Sequence, residues 1–364
     1  MNKVLIIGGS GFLGCHLVDR FYAFNPRPEI HILDIRPPPS LSKEFYSFDE
    51  SAIIFHKGDI TDPVSLRDIY REIKPDVIVH SASPVHGMGR DIYFKVNVDG
   101  TRAIVDVAAE KEFTGIIRAV VYTSSASVIY TGADLRNADE STPIPPPSQQ
   151  MDAYNESKAI GEQIALEANG RREDFKTCAL RPSAMFGPGD RQLIPNMVAV
   201  ASTSGVHFQI GDNWNLFDFT YIGNVAHAHV LAAQKLLDDS VTNVAGESFI
   251  ITNNSPVYFF TVPRKVWALK GVIPSWTITF SRPVGMALAF MSELVAKLRG
   301  KEALFTRFRV SFTCANRYFN INKAITRLHY EPIVELNDAI EISLRYITFE
   351  ESEMQKNLVE KKSE

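Results

Sequence analysis

The chain opens with a glycine-rich turn between a short hydrophobic strand and a segment with helical periodicity. Val4–Ile7 leads directly into the run Gly8-Gly9-Ser10-Gly11-Phe12-Leu13-Gly14. Glycines at this spacing allow a tight turn, a close backbone approach to a pyrophosphate, and packing of the next helix on the sheet. A glycine run alone can be a flexible turn, but its place between strand and helix predicts a dinucleotide-binding site. The residues expected to contact the cofactor here are Gly8, Gly11, Phe12, Leu13 and Gly14.

Short β-branched runs alternate with helical patterns through the first half of the chain. The predicted strands are Val4–Ile7, Glu29–Leu33, Ile53–His56, Asp76–His80, Ala119–Tyr122 and Lys176–Arg181. The predicted helices are Leu13–Phe24, Pro63–Glu72, Asn97–Lys111, Ala153–Ala168, Pro195–Ser202 and Val225–Leu237. This alternation predicts an α/β fold with a Rossmann-like, doubly wound parallel sheet.

The pattern changes after the sixth predicted strand, at Gly187-Pro188-Gly189. We therefore expect a dinucleotide-binding domain over residues 1–182, to which a later segment, roughly 218–252, returns. A smaller, interleaved C-terminal substrate-binding region is expected over residues 183–349. The charged residues 350–364 are expected to form a flexible tail.

Charge and cysteine content exclude several classes of protein. A net charge of −4 over 364 residues gives no general basic field, so we expect no nucleic-acid partner. Cys15, Cys178 and Cys314 are far apart and lack metal-ligand spacing, which argues against a disulfide framework or zinc site and favours a reducing compartment. The first strand begins at Val4 and leaves no room for a cleaved signal peptide, so we expect the catalytic part on the cytosolic side.

Residues 255–312 combine apolar and aromatic residues with a local basic excess. They contain nine Arg or Lys against two acids, Glu293 and Glu302, an excess of about seven positive charges. Their most apolar part, Pro283–Met291, is shorter than the ~20 residues that span a bilayer. Two interpretations stay open: a segment that lies at a membrane surface beside anionic headgroups, and a buried lid with solvated basic flanks.

The end of the second predicted strand bears on the choice of cofactor. Asp34 lies twenty residues after Gly14, where a carboxylate accepts hydrogen bonds from the adenosine ribose, and this favours NAD. Arg36 would instead attract the 2′-phosphate of NADP. Because that phosphate would be repelled by Asp34, NADP is kept as the alternative.

The ends of the third and fourth predicted strands supply further cofactor contacts. Asp59-Ile60 follows the third strand, where the carboxylate can accept from the adenine amino group; the alternative is an ordinary aspartate that leads a helix. Ser81-Ala82-Ser83 ends the fourth strand, and its small side chains are expected to leave space for the nicotinamide ribose. His86, just beyond, is expected to be a loop residue, since another base is present.

Tyr154 and Lys158 are four residues apart on a predicted helix, so both side chains share one face. The ammonium is expected to stabilise the phenolate and to lower the pKa of the phenol from ~10. The fifth predicted strand ends in Thr123-Ser-Ser-Ala-Ser127, at the sheet edge where doubly wound proteins bind ligands. Separately, these residues could be a surface helix and turn serines; together they predict an alcohol-oxidising site.

The whole set resembles the extended short-chain dehydrogenase/reductase family over nearly the full chain. The resemblance implies that Ser125 binds the substrate oxygen, that Tyr154 exchanges its proton, and that Lys158 binds the nicotinamide ribose and holds the phenolate. Asn97, in Lys95-Val-Asn-Val-Asp-Gly100, matches a position that braces the site in that family, although a helix cap is an equal alternative.

Further runs narrow the resemblance to the 3β-hydroxysteroid dehydrogenase branch, and within it to the decarboxylating sterol-4α-carboxylate 3-dehydrogenases of sterol biosynthesis. These runs are Ser81-Ala-Ser-Pro84, Tyr122-Thr-Ser-Ser-Ala-Ser-Val-Ile129, Leu180-Arg-Pro182, Phe186-Gly-Pro188 and Asp218-Phe-Thr-Tyr-Ile-Gly-Asn-Val-Ala226. On this basis Pro182 is assigned to the cofactor site. The resemblance implies NAD-dependent oxidation of the 3β-hydroxyl of a 4α-carboxysterol, with loss of the 4-carboxylate as carbon dioxide.

The same resemblance implies a homodimer formed through the face that includes Ala153–Ala168, and contact with other enzymes of sterol demethylation. It also implies a peripheral position on the cytosolic face of the endoplasmic reticulum, or on lipid droplets. Lys361-Lys-Ser-Glu364 resembles a dilysine retrieval signal for that compartment. Alternatives are a 3β-hydroxysteroid dehydrogenase without decarboxylation, a nucleotide-sugar epimerase or dehydratase, and a cofactor-binding protein that performs no chemistry.

Overall fold

The computed structural model describes residues 1–85, 87–299 and 305–363. His86, Lys301, Glu302 and the side chains of the lysine pair at 361 and 362 therefore lie outside the described residues. The strands, in chain order, are β1 (Lys3–Ile7), β2 (Glu29–Asp34), β3 (Ile53–Lys57), β4 (Val77–His80), β5 (Ala119–Thr123), β6 (Leu135–Ala138), β7 (Lys176–Pro182), β8 (Met185–Phe186), β9 (Phe208–Ile210), β10 (Leu216–Phe217), β11 (Thr220–Tyr221), β12 (Ser248–Ile251), β13 (Val257–Tyr258), β14 (Ile278–Phe280) and β15 (Arg317–Phe319). The α-helices are α1 (Phe12–Tyr22), α2 (Pro63–Ile73), α3 (Arg90–Tyr93), α4 (Thr101–Ala108), α5 (Ala153–Glu167), α6 (Leu193–Ala201), α7 (Ile222–Leu237), α8 (Thr261–Leu269), α9 (Arg282–Leu298), α10 (Arg307–Cys314) and α11 (Leu336–Ser363).

A seven-stranded sheet in the order β12-β7-β5-β4-β1-β2-β3 forms the centre of the molecule. Every neighbouring pair in it is parallel. The inner strands β1, β4 and β5 are buried almost throughout, because helices cover both faces of the sheet. The predicted Rossmann-like, doubly wound sheet is confirmed.

Helices on the two faces of this sheet enclose separate cores. Helix α1 packs against α7 on one face, whereas α4 lies between α2 and α5 on the other. The first core includes Val4, Ile6 and Val121, and the second includes Leu5 and Val120. Alternate residues of one strand thus point to opposite faces, as the period of two requires.

The predicted helix Asn97–Lys111 is wrong at its start. Helical structure begins at Arg90 and continues through a π-helical turn, Phe94–Gly100, into α4. Gly100 lies inside this helical segment, and a Cβ there would lie 2.6 Å from Cδ1 of Ile60. The glycine therefore serves close packing and not a turn.

A smaller region is built from later segments of the chain. Its four-stranded sheet has the order β13-β10-β15-β6, and β6 enters it from the middle of the first half of the chain. Helix α9 packs against α10, and β14 pairs in parallel with β9. Helix α11 continues through residues 350–363, and the expected flexibility of this segment stays a prediction. In the part of the chain that is described, no helix has both the length and the apolar content that crossing a membrane requires.

Candidate active site

The glycine turn joins β1 to α1 and can only be built with small residues. Gly8 has a φ of 82°, and a Cβ on it would lie 2.6 Å from the backbone of Ala82. A Cβ on Gly14 would overlap the carbonyl oxygen of Gly8. Gly11 N–H donates to the Gly8 carbonyl at 3.0 Å, which closes the turn beneath the first residues of α1. The resulting backbone cradle at a helix N-terminus fits a dinucleotide pyrophosphate. Phe12 and Leu13 begin this helix.

Asp34 ends β2 beside this turn. One carboxylate oxygen accepts from Ser10 N–H at 3.2 Å, and the other accepts from Arg36 N–H at 3.2 Å. The side chain of Arg36 is exposed, while its carbonyl accepts from the Ser10 hydroxyl at 2.9 Å. The carboxylate thus faces the glycine turn, an arrangement that fits a ribose hydroxyl.

The other predicted cofactor residues lie at the same edge of the sheet. Asp59 directs one oxygen to the N–H and hydroxyl of Thr61, both at 2.9 Å, and these bonds lower the pKa of its carboxyl. Ile60 packs under Gly100, and the hydroxyl of Ser81 donates to the carbonyl of Ile7. Ala82 packs against Gly8 of the glycine turn. Ser83 is exposed after the end of β4, and Pro182 is the last residue of β7.

Helix α5 brings Tyr154 against Ser125. The helix begins after Asp152, whose side chain caps it by accepting from Asn155 N–H at 2.8 Å. This places Tyr154 in the first helical turn, with its ring 5.6 Å from that of Tyr93 in a T-shaped contact. A hydrogen bond links the hydroxyls of Ser125 and Tyr154, and Ser125 Oγ is also 2.7 Å from Ser127 Oγ. The two predicted catalytic hydroxyls are therefore adjacent.

Lys158 is held beneath them at the end of β5. Its side chain is 2% exposed, and its Nζ donates to the carbonyl oxygen of Thr123. The same nitrogen lies 4.5 Å from the ring centroid of Tyr122. Burial lowers the pKa of Lys158 to about 7, against a smaller opposing effect of the Glu162 carboxylate. The amine can therefore gain or lose its charge near neutral pH.

One expectation about this site is wrong. The Tyr154 phenol was expected to have a lowered pKa, but burial raises it to about 12 and the Ser125 hydrogen bond lowers it only in part. The reason is that Lys158 directs its Nζ to Thr123 and Tyr122, so that desolvation and not the ammonium dominates at the phenol.

Asn97 extends the site on the side of the π-helical turn. Its Nδ2 donates to the Ser157 hydroxyl at 3.0 Å, and that hydroxyl donates to the Tyr154 carbonyl at 2.9 Å. Asn97 is 1% exposed, and its Oδ1 has no hydrogen-bond partner among the described residues. Asn97 thus links its own helical segment to α5 and does not cap a helix, while its part in the site stays a prediction.

Several buried groups around Lys158 were missed by the sequence analysis. Glu162, one turn after Lys158, forms a buried ion pair with Arg181 of β7, with Nε–Oε2 at 2.9 Å. Thr123 donates its hydroxyl to His229 Nε2 at 2.8 Å, while Nδ1 of that histidine contacts the Val225 carbonyl. Burial lowers the pKa of His229 to about 4, so the ring is neutral. The sequence signal that could have identified Glu162 is its position four residues after Lys158, which places both side chains on one helix face.

Two other features do not coincide with this site. A groove of about 590 Å³ lies along the outer side of α5 and is lined by residues of the loop 144–150 and by Arg181, but by none of the three predicted catalytic residues. Across residues 1–85, 87–299 and 305–363, no group of three or more His, Cys, Asp or Glu side chains is arranged to hold a metal ion.

Comparison with known proteins agrees with the dehydrogenase-like geometry of the site. The model of the 3-beta hydroxysteroid dehydrogenase/isomerase family matches residues 5–282. Sterol-4-alpha-carboxylate 3-dehydrogenase ERG26, decarboxylating, from Saccharomyces cerevisiae is 50% identical over 349 residues, which cover 95% of this chain and 98% of that protein. The human sterol-4-alpha-carboxylate 3-dehydrogenase, decarboxylating, is 31% identical, over 93% of this chain and 87% of that protein.

Solved structures with the same fold include dTDP-glucose 4,6-dehydratase from Bacillus anthracis in complex with NAD. It has a TM-score of 0.71 at 19% identity and covers 97% of this chain and 98% of that chain. UDP-glucose 4-epimerase from Thermotoga maritima, with UDP-glucose, has a TM-score of 0.69 at 15% identity and covers 95% of this chain and 98% of that chain. At this level of identity the similarity concerns the fold.

Proposed function

The chain belongs to the 3-beta hydroxysteroid dehydrogenase/isomerase family, and we propose that it oxidises the 3β-hydroxyl of a 4α-carboxysterol to the ketone, with loss of the 4-carboxylate as carbon dioxide. The observation that carries this proposal is the adjacency of the Ser125 and Tyr154 hydroxyls above Lys158, at the carboxyl edge of the sheet. The named activity of the yeast relative supplies the substrate class.

We propose NAD as the cofactor, held by the glycine turn, by Asp34 through the adenosine ribose, and by the nearby residues of the sheet edge. When bound, NAD accepts the hydride that leaves C3 of the alcohol. Tyr154, as phenolate, takes the hydroxyl proton, and the Ser125 hydroxyl donates a hydrogen bond to the developing carbonyl oxygen. Lys158 would hold the nicotinamide ribose.

Decarboxylation follows from the same set of residues. The 3-ketone makes the 4-carboxylate a β-keto acid, so the bond from C4 to the carboxyl carbon can break while its electron pair forms an enolate. The Ser125 and Tyr154 hydroxyls donate hydrogen bonds to the enolate oxygen, and C4 then takes up a proton. The chain therefore needs no additional base for the second step.

The test is turnover of a 4α-carboxysterol labelled in its carboxyl group, with NAD and NADP in separate assays. We expect NADH and labelled carbon dioxide in equal amounts, faster with NAD, and neither product from Tyr154→Phe. Release of carbon dioxide from the alcohol by Tyr154→Phe would contradict the coupling. Turnover of a 3β-hydroxysteroid without a carboxylate, or of a nucleotide sugar, in place of the carboxysterol would support the corresponding alternative.

We further propose that α9 rests on an anionic membrane surface. Its buried face, with Gly285 and Ala289, packs towards β9 and α10, and its outer face presents apolar side chains that are 39% to 80% exposed. These side chains are Val284, Leu288, Phe290, Met291, Leu294, Val295 and Leu298. An apolar helix face with basic residues at its ends is typical of interfacial helices.

Binding to phosphatidylserine vesicles tests the membrane proposal. Each large apolar side chain transferred out of water contributes roughly 1.5–3 kcal/mol, so Leu288→Gln with Met291→Gln should weaken binding more than about 100-fold. Val64→Gln, which changes an equally exposed apolar residue on α2, is the matched control. Equal vesicle binding by all three proteins would rule out α9 as the contact.

We also propose a homodimer through the outer faces of α4 and α5, which lie side by side on one face of the sheet. Arg102 and Asp106 of α4 and Gln163 of α5 are exposed there. Light scattering of the purified protein tests this, and a charge introduced at Gln163 should dissociate the dimer.

We further propose a location on the endoplasmic reticulum or lipid droplets, beside other enzymes of sterol demethylation. Cell fractionation tests this location.

A further inference from the structure

Arg317 is a buried cation that has no anionic partner among the described residues. It begins β15 in the smaller sheet and is 6% exposed, and its Nε has no hydrogen-bond partner among the described residues. Other buried guanidinium groups differ, since Arg181 is paired with Glu162 and Arg172 with Asp174. A buried charge without a counter-ion costs several kcal/mol, so its retention indicates an anion supplied by something other than the described chain.

Aromatic rings surround this guanidinium. Its Cζ lies 4.3 Å from the ring centroid of Tyr130, 4.9 Å from that of Phe312 and 5.8 Å from that of Phe217. Burial accordingly lowers the pKa of Arg317 to about 10, which still leaves it charged at neutral pH. Tyr130 is itself 2% exposed, and no described group bonds its hydroxyl. Arg317 Nε and the Tyr130 hydroxyl thus both lack a partner among the described residues, and the guanidinium lies over the Tyr130 ring.

Neither of the acids nearest in the sheet forms an ion pair with Arg317 among the described residues. Asp218 follows β10, which pairs with β15; its Oδ2 accepts from Phe319 N–H at 2.8 Å, and its Oδ1 has no hydrogen-bond partner among the described residues. Asp134, just before β6, accepts from Asn316 and from Arg136. The aromatic contacts alone could make Arg317 a purely structural residue, yet they leave its Nε–H without an acceptor among the described residues.

Tyr130 lies close in the chain to the predicted catalytic serine. Ser125 caps the short helical turn Ala126–Ile129, and Tyr130 is the residue that follows the turn. In a 4-carboxysterol the carboxylate is on the carbon next to C3, whose oxygen Ser125 would bind. We propose that Arg317, assisted by the Tyr130 hydroxyl, binds the 4-carboxylate of the substrate and so selects carboxysterols. This inference rests on the proposed function.

The role is one of substrate binding and not of the carbon–carbon cleavage. When the carboxyl group leaves, its negative charge moves away from Arg317 to the enolate oxygen, so an ion pair with the carboxylate stabilises the substrate more than the transition state of that step. Loss of Arg317 should therefore raise KM for the carboxysterol and leave kcat for carbon dioxide release unchanged or slightly higher.

Arg317→Met tests this directly, because methionine fills the aromatic cage without a charge. Relative to the wild type, kcat/KM for the 4α-carboxysterol should fall on the order of 100-fold, whereas kcat/KM for the same sterol alcohol without a carboxylate should change less than about threefold. The matched control is Arg136→Met, which removes an exposed arginine from the neighbouring strand β6. It should leave both substrates unaffected.

If Arg317→Met lowers kcat/KM equally for both substrates, the inference is wrong and the proposed function stands. If the wild type does not turn over the carboxysterol, the proposed function itself is wrong. If Arg317→Met does not fold, Tyr130→Phe decides, since it removes one donor and keeps the ring. It should lower kcat/KM about tenfold for the carboxysterol alone. The wild type should also bind the acid more tightly than its methyl ester, and equal affinity for both would likewise count against Arg317.

Discussion

Replacing Lys158 by methionine should separate stability from activity in this protein. Lys158 is 2% exposed, and burial lowers its pKa from 10.5 to about 7. The unfolded chain therefore holds a proton on this lysine between about pH 7 and pH 10, where the folded protein has released it. The free energy of unfolding must then rise with pH across this window, because the unfolded state binds more protons.

The size of this effect follows from the two pKa values. At pH 7 the free energy of unfolding is about 4 kcal/mol lower than it would be if the pKa of Lys158 were unshifted. At pH 9 the corresponding loss is about 2 kcal/mol. Methionine has no proton to release. The stability of the wild type measured relative to Lys158→Met should therefore rise by about 2 kcal/mol from pH 7 to pH 9.

Urea unfolding of both proteins at several pH values provides the measurement, and the difference between the two curves cancels the other titrating groups. Lys111→Met, which removes an exposed lysine, should track the wild type at every pH. Oxidation of the alcohol should be lost in Lys158→Met even where this variant is the more stable protein. Parallel curves for the wild type and Lys158→Met would refute a depressed lysine pKa and the account of the site built on it.

Other substitutions test other parts of the site. Glu162→Gln leaves the guanidinium of Arg181 buried without a counter-ion and should cost about 3–5 kcal/mol of stability in urea unfolding. Gly14→Ala places a methyl group against the Gly8 carbonyl, so the thermal stabilisation of the protein by added NAD should disappear. Asp34→Ala removes the carboxylate at the ribose and should reduce kcat/KM with NAD about tenfold, while the rate with NADP improves.

Each of these substitutions has a control and a contradicting result. Gly89→Ala introduces a methyl group that meets nothing within 4 Å, so it should keep the response to NAD that Gly14→Ala loses. Glu351→Gln removes an exposed acid of α11 and should not alter stability. Asp68→Ala on α2 should keep the preference for NAD. A Glu162→Gln protein as stable as the wild type, or an unchanged NAD preference in Asp34→Ala, would contradict the corresponding role.

The central fold could be predicted because local patterns determine it. The first strands are continuous apolar runs that two covered sheet faces require, and the glycine turn follows β1 directly. The start of the helical segment near Asn97 could not be predicted, because its first turn contacts residues that are distant in sequence, Arg90 with Glu156 and Tyr93 with Tyr154. The smaller sheet was equally hidden, since β6 and β15 pair across almost two hundred residues.

At the site, residue identities could be predicted from motifs, but the electrostatics could not. The spacing of Tyr154 and Lys158 shows that they share a helix face, yet it does not give the depth of burial or the direction of the Lys158 side chain. Arg317 carries no motif, and its unpaired state depends on rings from three separate elements. Such effects require the packed structure, because desolvation is a property of all surrounding atoms.

The shifted pKa values of Tyr154 and Lys158 also constrain how the catalytic base forms. With a phenol pKa of about 12, only about one Tyr154 in 10⁵ is ionised at pH 7, and with a pKa of about 7 Lys158 is only half charged there. The folded chain alone therefore favours the neutral phenol and amine. A phenolate is stabilised by positive charge and by hydrogen bonds placed beside it, and the oxidised nicotinamide ring carries such a charge. We therefore expect the effective base to form in a site that also holds the cofactor.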